Sequence, residues 1–342
     1  MATGKAMRTC WVFDHPAHVR LLAPFLRAGQ SDDVIIATQR TEVENLLKEG
    51  DGHLPRRQTH WVVRPVGDNR RKKALGRWRS SHRFLRQCNQ QGNPIERIVS
   101  IGAPLELMAW RSPFLRRRLA SIVERWYISD TEVNHLAHRL ARKAVTDVVL
   151  PTHWRSDLDG GFLEQLNGTR VHRLDGLHGH VHLRPSLRPT VVSDPPRVLV
   201  RRLVGGGIHD DEELIEIPDE VFDGLSTTLA DEDAYSGDAW ALDRELAAHD
   251  CVITQSVTLA SEAALLGTPT LLISKAERGF LDRLESAGYP LFRWKSMCEG
   301  DEWKDLQAQF LTGIHLTEIL EPEPWPNSRN DLTTLLGMEL ID

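Results

Sequence analysis

Residues 250–274 read Asp-Cys-Val-Ile-Thr-Gln-Ser-Val-Thr-Leu-Ala-Ser-Glu-Ala-Ala-Leu-Leu-Gly-Thr-Pro-Thr-Leu-Leu-Ile-Ser. The stretch predicts strand, tight turn, short helix, tight turn, strand. Cys251 to Thr254 form an uninterrupted apolar run of the length that suits a buried parallel strand. Ser256 or Thr258 can cap the helix behind it, and Gly267 followed by Pro269 stops that helix. Thr270 to Ile273 are the next strand. A helix that begins just after a parallel strand aims its free N–H groups at the carboxyl edge of the sheet, where an anion such as phosphate binds. The candidate donors are the amides around Ser256, Val257 and Thr258. Glu262 could accept hydrogen bonds from a ribose diol beside them. The same pattern also fits a plain βαβ unit in which the hydroxyls only cap and Glu262 faces water.

The whole chain frames that unit. Its 342 residues are enough for two domains, and a net charge of -6 argues against general nucleic-acid binding. A hydrophobic content of 41% supports folded cores. No run of about 18 apolar residues predicts a membrane span, and residues 1–8 lack the apolar segment of a signal peptide. The four cysteines are widely spaced, which predicts buried free thiols in a reducing, cytoplasmic setting.

Outward from the central unit, the first half alternates strand and helix. Arg8 to Phe13, Val34 to Thr38, Trp61 to Val63, Arg97 to Gly102, Arg125 to Ser129 and Val145 to Leu150 predict strands, with helical patterns between several of them. The first strand ends in Asp14-His15-Pro16-Ala17-His18. His15 and His18 flank a proline that fixes the turn, so an imidazole there could serve as a general base near neutral pH. Both could equally be structural. Ser129-Asp130-Thr131-Glu132 falls at another strand-to-helix junction.

Residues 70–86 carry eight Lys or Arg with Trp78, His82 and Phe84 among them. They read as a solvated helix face, or as a face for an anionic acceptor or a membrane surface. Residues 114–118 lead a second basic face. In 171–183, alternation predicts an extended segment with His178, His180 and His182 on one face. Such ligands along one strand spread too far apart for a good metal site, so contact with sugar or phosphate is the preferred reading. Prolines 185, 189, 195 and 196 mark a passage between domains. The second domain opens with a strand from Arg197 to Val204 carrying Arg201 and Arg202. Gly205 and Gly206 follow, a run that lets backbone approach a phosphate. Residues 208–238 read as acidic, irregular surface connections.

The Trp11–Val19 opening, Ser129–Glu132 and the Gly176–Leu183 segment resemble, in order and placing, a family of uncharacterised proteins, DUF354, described as predicted glycosyltransferases. The 252–273 element is similar to the donor-binding element of GT-B glycosyltransferases, a superfamily that includes MurG-type transferases and UDP-N-acetylglucosamine 2-epimerases. The likeness spans roughly residues 8–295. It implies an α/β, GT-B-like fold of two Rossmann-like doubly wound domains facing across a cleft. The boundaries expected are 1–184 for the acceptor side, 185–325 for the nucleotide-sugar side, and a tail helix in 326–342 packing back on the first domain.

The resemblance implies a nucleotide-sugar donor, UDP-linked by preference, and a glycan or lipid-linked acceptor, with no metal or other cofactor. Glu262 would hold the ribose, the amides near Ser256 to Thr258 the diphosphate, and Arg201 or Arg202 the leaving charge. His15 or His18 would be the base, with Asp130 a further candidate. The 14–18 loop has no glycine, unlike the MurG-type loop. A 2-epimerase of the same fold and a non-catalytic nucleotide-sugar-binding subunit are the alternatives. The location expected is the cytoplasm, with contact at the inner membrane face through 70–86.

Overall fold

The computed structural model describes residues 7–48, 54–65, 67–102, 104–129, 131–176, 179–183, 191–203, 214–230, 238, 240–315 and 326–340. The chain divides into two compact units, 1–182 with 327–342, and 183–326.

The first unit contains strands β1 (Thr9–Phe13), β2 (Val34–Thr38), β3 (Gln58–Val62), β4 (Arg97–Ile101), β5 (Glu124–Ile128), β6 (Asp147–Pro151) and β7 (Arg170–Leu174). Its helices are α1 (Pro16–Ala28), α2 (Thr41–Lys48), α3 (Arg70–Gln90), α4 (Pro113–Arg117), α5 (His135–Ala141) and α6 (Gly179–His182). The strands form one sheet in the order β3-β2-β1-β4-β5-β6-β7, every pair parallel. A parallel sheet needs both faces covered, which is why β1, β2, β4 and β6 are buried at every residue. The order reverses between β1 and β4, and ligands in open α/β sheets bind at the carboxyl ends beside such a reversal.

The second unit contains β8 (Arg197–Arg201), β9 (Ser226–Leu229), β10 (Cys251–Thr254), β11 (Thr270–Ile273) and β12 (Leu291–Trp294). Its helices are α7 (Leu242–Ala248), α8 (Val257–Leu265), α9 (Gly279–Ser286) and α10 (Gly300–His315). The sheet order β12-β11-β10-β8-β9 is again parallel and reverses between β8 and β10. Helix α11 (Ser328–Leu336) returns to the first unit. There Arg97 Nη1 donates to Leu336 O at 2.6 Å, and the Ser328 hydroxyl donates to Asp175 O. Gly337, at φ 58°, ends α11 in the left-handed conformation that glycine adopts without strain. Among the described residues no helix is long and apolar enough to cross a membrane. All four cysteines are free thiols, three of them buried.

Three sequence expectations change. Residues 179–182 are not extended: they form the short helix α6, so period-two alternation does not align His180 with His182. The 208–238 stretch is not all irregular, because Ser226–Leu229 adds β9 to the edge of the second sheet. Its exposed polar sequence carries no burial pattern, so pairing alone makes it a strand. The 70–86 run is helical, yet Arg77 points inward from it and is 3% exposed. Positions 77, 81, 84, 85 and 88 recur at helical spacing and form the buried stripe of α3.

Candidate functional site

In the second unit the site grows from the end of β10. The Thr254 hydroxyl donates to Arg201 O at 2.9 Å and accepts from Ser256 N at 2.9 Å. One side chain thereby joins the carboxyl end of β8 to the turn that starts α8. Ser256 is the N-cap, at φ -82° and ψ 114°, and its hydroxyl accepts from Leu259 N at 3.4 Å. The Ser256 amide is therefore committed to Thr254, which narrows the expected anion donors. The amides of Val257 and Thr258, by contrast, have no hydrogen-bond partner among the described residues. They are the first two N–H groups of a nine-residue helix and carry the positive end of its dipole.

The far end of α8 explains why this helix is so short. Gly267 N bonds to Ala264 O at 2.9 Å and Thr268 N to Ala263 O at 3.0 Å. Gly267 sits at φ 82°, completing a Schellman stop before Pro269. Glu262 is 2% exposed, one turn past Thr258 on the same helix. Arg201 ends β8, Arg202 follows it, and both are half-buried.

Sequence reasoning missed Gln255, which is 7% exposed. Its side-chain oxygen accepts from Leu203 N at 2.8 Å and its amide nitrogen donates to Ile215 O at 2.7 Å. Gln255 thus fastens the chain on both sides of 204–213 to the α8 turn. The signal was a polar amide directly after a buried strand. Gly205 and Gly206 lie outside the described residues.

In the first unit the reversal point holds the Asp14–His18 turn. His15 is the N-cap of α1, and its Nδ1 accepts from Ala17 N at 3.2 Å. Pro16 follows at the first helical position, where its missing N–H costs nothing. His18 is 8% exposed, and its Nδ1 accepts from Asp14 N at 3.4 Å. The two rings stand 5.8 Å apart. An Nδ1 that accepts a main-chain N–H fixes the proton of the neutral ring on Nε2.

Behind this turn lies an ion network that the sequence reading missed. Arg77 Nε and Nη2 donate to the two Glu106 carboxylate oxygens at 2.9 and 3.3 Å. Arg77 Nη1 donates to Asp14 Oδ1 at 2.8 Å and Thr38 Oγ1 at 3.0 Å, and the Ser81 hydroxyl donates to Glu106 at 3.1 Å. Thr38 also donates to Asp14. Burial by itself would raise the Asp14 carboxyl. The Arg77 charge and the Thr38 and Arg77 hydrogen bonds override it and hold that carboxyl far below the usual carboxylate range. The same two carboxylates push the Arg77 guanidinium up against the opposing effect of burial. Asp14 is therefore a fixed anion rather than a proton carrier.

The remaining expected residues are scattered. Asp130 and His178 lie outside the described residues. His180 is 5% exposed on α6. Glu132 is 1% exposed and accepts from Arg155 N at 3.1 Å. Among the described residues no three His, Cys, Asp or Glu side chains gather as a metal cluster.

No family model matches the sequence, and a search of curated proteins finds no match. Solved structures do match. UDP-GlcNAc 2-epimerase from Methanocaldococcus jannaschii aligns with a TM-score of 0.61 at 12% identity, over 96% of this chain and 99% of that one. The enzyme of that name from Neisseria meningitidis, bound to UDP-GlcNAc, gives 0.57 at 11%, over 96% and 99%. Arabidopsis thaliana UGT89C1, complexed with UDP-L-rhamnose, gives 0.59 at 11%, over 97% and 99%. At such identities the likeness establishes the fold: two Rossmann-like units of the GT-B type, shared by UDP-sugar epimerases and glycosyltransferases.

Proposed function

We propose that this chain is a GT-B-type glycosyltransferase that moves a sugar from a UDP-linked donor to a hydroxyl-bearing acceptor. The carrying observation is the start of α8. Two amides with no hydrogen-bond partner among the described residues stand at a helix N-terminus by the strand-order reversal of the second sheet, with a buried carboxylate one turn on. In this reading the Val257 and Thr258 amides and the helix dipole receive the diphosphate. Arg201 or Arg202 meets the charge that develops on the leaving group, in place of a divalent cation. Glu262 accepts from the ribose hydroxyls. The support from comparison is that similar solved structures carry UDP-GlcNAc or UDP-L-rhamnose.

On the acceptor side we assign the base to His18 and the cap to His15. Each ring must surrender its amide contact before its nitrogen can take a proton. The 3.4 Å contact of His18 is the weaker of the two, whereas the 3.2 Å contact of His15 closes the first turn of α1. The committed ion pair of Asp14 removes it from competition for the proton. The acceptor would be a glycan or a lipid-linked sugar.

Epimerisation is the second reading. It needs acid and base groups on both sides of the sugar, and buried Glu132 offers one more carboxylate behind β5. Incubation with a UDP-sugar alone separates the two, since an epimer formed without acceptor favours the epimerase. For the donor site, Glu262→Ala should weaken UDP binding about 10- to 100-fold, the loss of one or two hydrogen bonds to a charged group. Unchanged affinity removes Glu262 from the ribose. No melting-temperature rise across a panel of UDP- and GDP-sugars would remove the donor reading altogether, since a bound ligand must stabilise the fold by mass action.

A further inference from the structure

We propose that the outward face shared by α3 and α4 docks on an anionic lipid surface. The first observation is charge. The 21 residues of α3 contain no Asp or Glu, and neither do residues 111–118. Arg79, Arg83, Arg116, Arg117 and Arg118 are exposed, Arg86 is half-exposed, and none of the six has a carboxylate partner among the described residues. In a chain of net charge -6, such a concentration makes the rest of the surface more acidic still. An anionic membrane would attract this face and repel the others, which fixes the orientation of approach.

The second observation is that the structure joins the two basic segments into one face. Both helices pack against the 3₁₀ turn Pro104–Arg111, and Asn89 Nδ2 at the end of α3 donates to Ser121 Oγ just past α4 at 2.9 Å. Arg86 and Arg118 both bear on His82 electrostatically. Arg77, the one arginine of the run that turns inward, belongs to the ion network and not to this face.

The third observation separates lipid from nucleic acid. Apolar side chains stand exposed among the cations: Phe114 is 64% exposed and Leu75 44%. The Arg118 guanidinium lies 4.6 Å from the centre of the Phe114 ring, leaving the rest of that ring to solvent. Leu75, Trp78, His82 and Arg86 follow one another at helical spacing of three or four residues. An interfacial aromatic, a leucine and a ring of arginines match the layered chemistry of a bilayer surface, where apolar groups sink below the phosphates and cations stay level with them. A nucleic-acid backbone would engage the arginines and leave Leu75 uncovered.

The test is vesicle flotation of the full chain at physiological ionic strength. One vesicle is phosphatidylcholine, the other an equimolar mixture with phosphatidylglycerol. Partition onto the mixed vesicle is expected, with little onto the neutral one. Replacing three arginines (Arg83→Gln, Arg86→Gln and Arg117→Gln) should lower it roughly 100-fold, about fivefold per charge. Phe114→Ser should lower it about tenfold and leave the salt dependence in place. All four positions are at or near the surface, and a far-ultraviolet melt confirms that the variants fold. Equal partition onto both vesicles overturns the proposal, as does no partition onto either. Tighter binding to a single-stranded RNA homopolymer than to the mixed vesicle, unaffected by Phe114→Ser, also overturns it.

Discussion

Replacing Arg77 with methionine probes the part of the first unit that the sequence concealed. The methionine keeps much of the apolar stem, so the packing of the α3 stripe against the sheet survives. The charge goes. The Arg77 side chain is 1% exposed and that of Glu106 is 0%, so Glu106 loses its counterion with no water to replace it. Breaking one side of a buried pair costs about 3–5 kcal/mol. Two features place this case at the low end: the Ser81 hydroxyl remains on Glu106 at 3.1 Å, and Asp14, at 32% side-chain exposure, retains access to water. A loss of about 3 kcal/mol follows, against a total of about 5–15 for a folded domain. Urea unfolding gives the value, and hydrogen exchange at β1 and β4 amides assigns it to the first unit.

The pH dependence supplies an independent check. The folded-state value of Asp14 is depressed, so it adds stability that is present above its unfolded value of about 4 and is lost as pH falls below that. The variant lacks the Arg77 part of this contribution at every pH and keeps the Thr38 hydrogen bond. The gap between wild type and Arg77→Met should therefore be widest near neutrality and narrow below about pH 4. Adding Glu106→Gln to Arg77→Met should recover part of the loss, because the orphaned buried charge is gone. A gap smaller than about 1 kcal/mol, or one unchanged between neutral and acid pH, would refute this account of the network.

Two further variants separate structure from chemistry. His15→Ala should cost about 1 kcal/mol through loss of the α1 cap, while His15→Ser should regain most of it with a hydroxyl acceptor; turnover surviving in the serine variant marks His15 as a cap alone, and failure of both variants to turn over gives it a chemical role. Gln255→Leu should cost about 2–3 kcal/mol by stranding Leu203 N and Ile215 O, and it should weaken UDP binding, since both sides of 204–213 come loose from α8; thermal unfolding and a UDP titration read the two effects, and a variant as stable as wild type would show that water replaces the side chain.

The legible features were the local ones. The run Cys251–Thr254, the Ser256 cap and the Gly267 stop each depend on a few consecutive residues, and each stands where its sequence puts it. The alternation of apolar runs with helical periods led to two parallel sheets, because strands buried on both faces need helices on either side to cover them. Local pattern failed where side-chain burial carried no signal, as in Ser226–Leu229. It also failed where four consecutive residues follow helix rather than strand geometry, as in Gly179–His182.

What the linear order could not hold was which separate segments meet. Arg77 reads as one more cation in a basic run; only the packing of α3 against β3 and the 3₁₀ turn Pro104–Arg111 brings it to Asp14, Thr38 and Glu106, up to 63 residues away. Gln255 reads as a turn residue until Leu203 and Ile215 are set on either side of it. The same folding joins the 70–86 and 111–118 arginines into a single face. Secondary structure and fold class follow from short-range sterics and periodic burial, which neighbouring residues encode together. Charge pairing and hydrogen-bond completion depend on groups far apart in the chain, and those are fixed only when the sheet order brings them within a few ångströms.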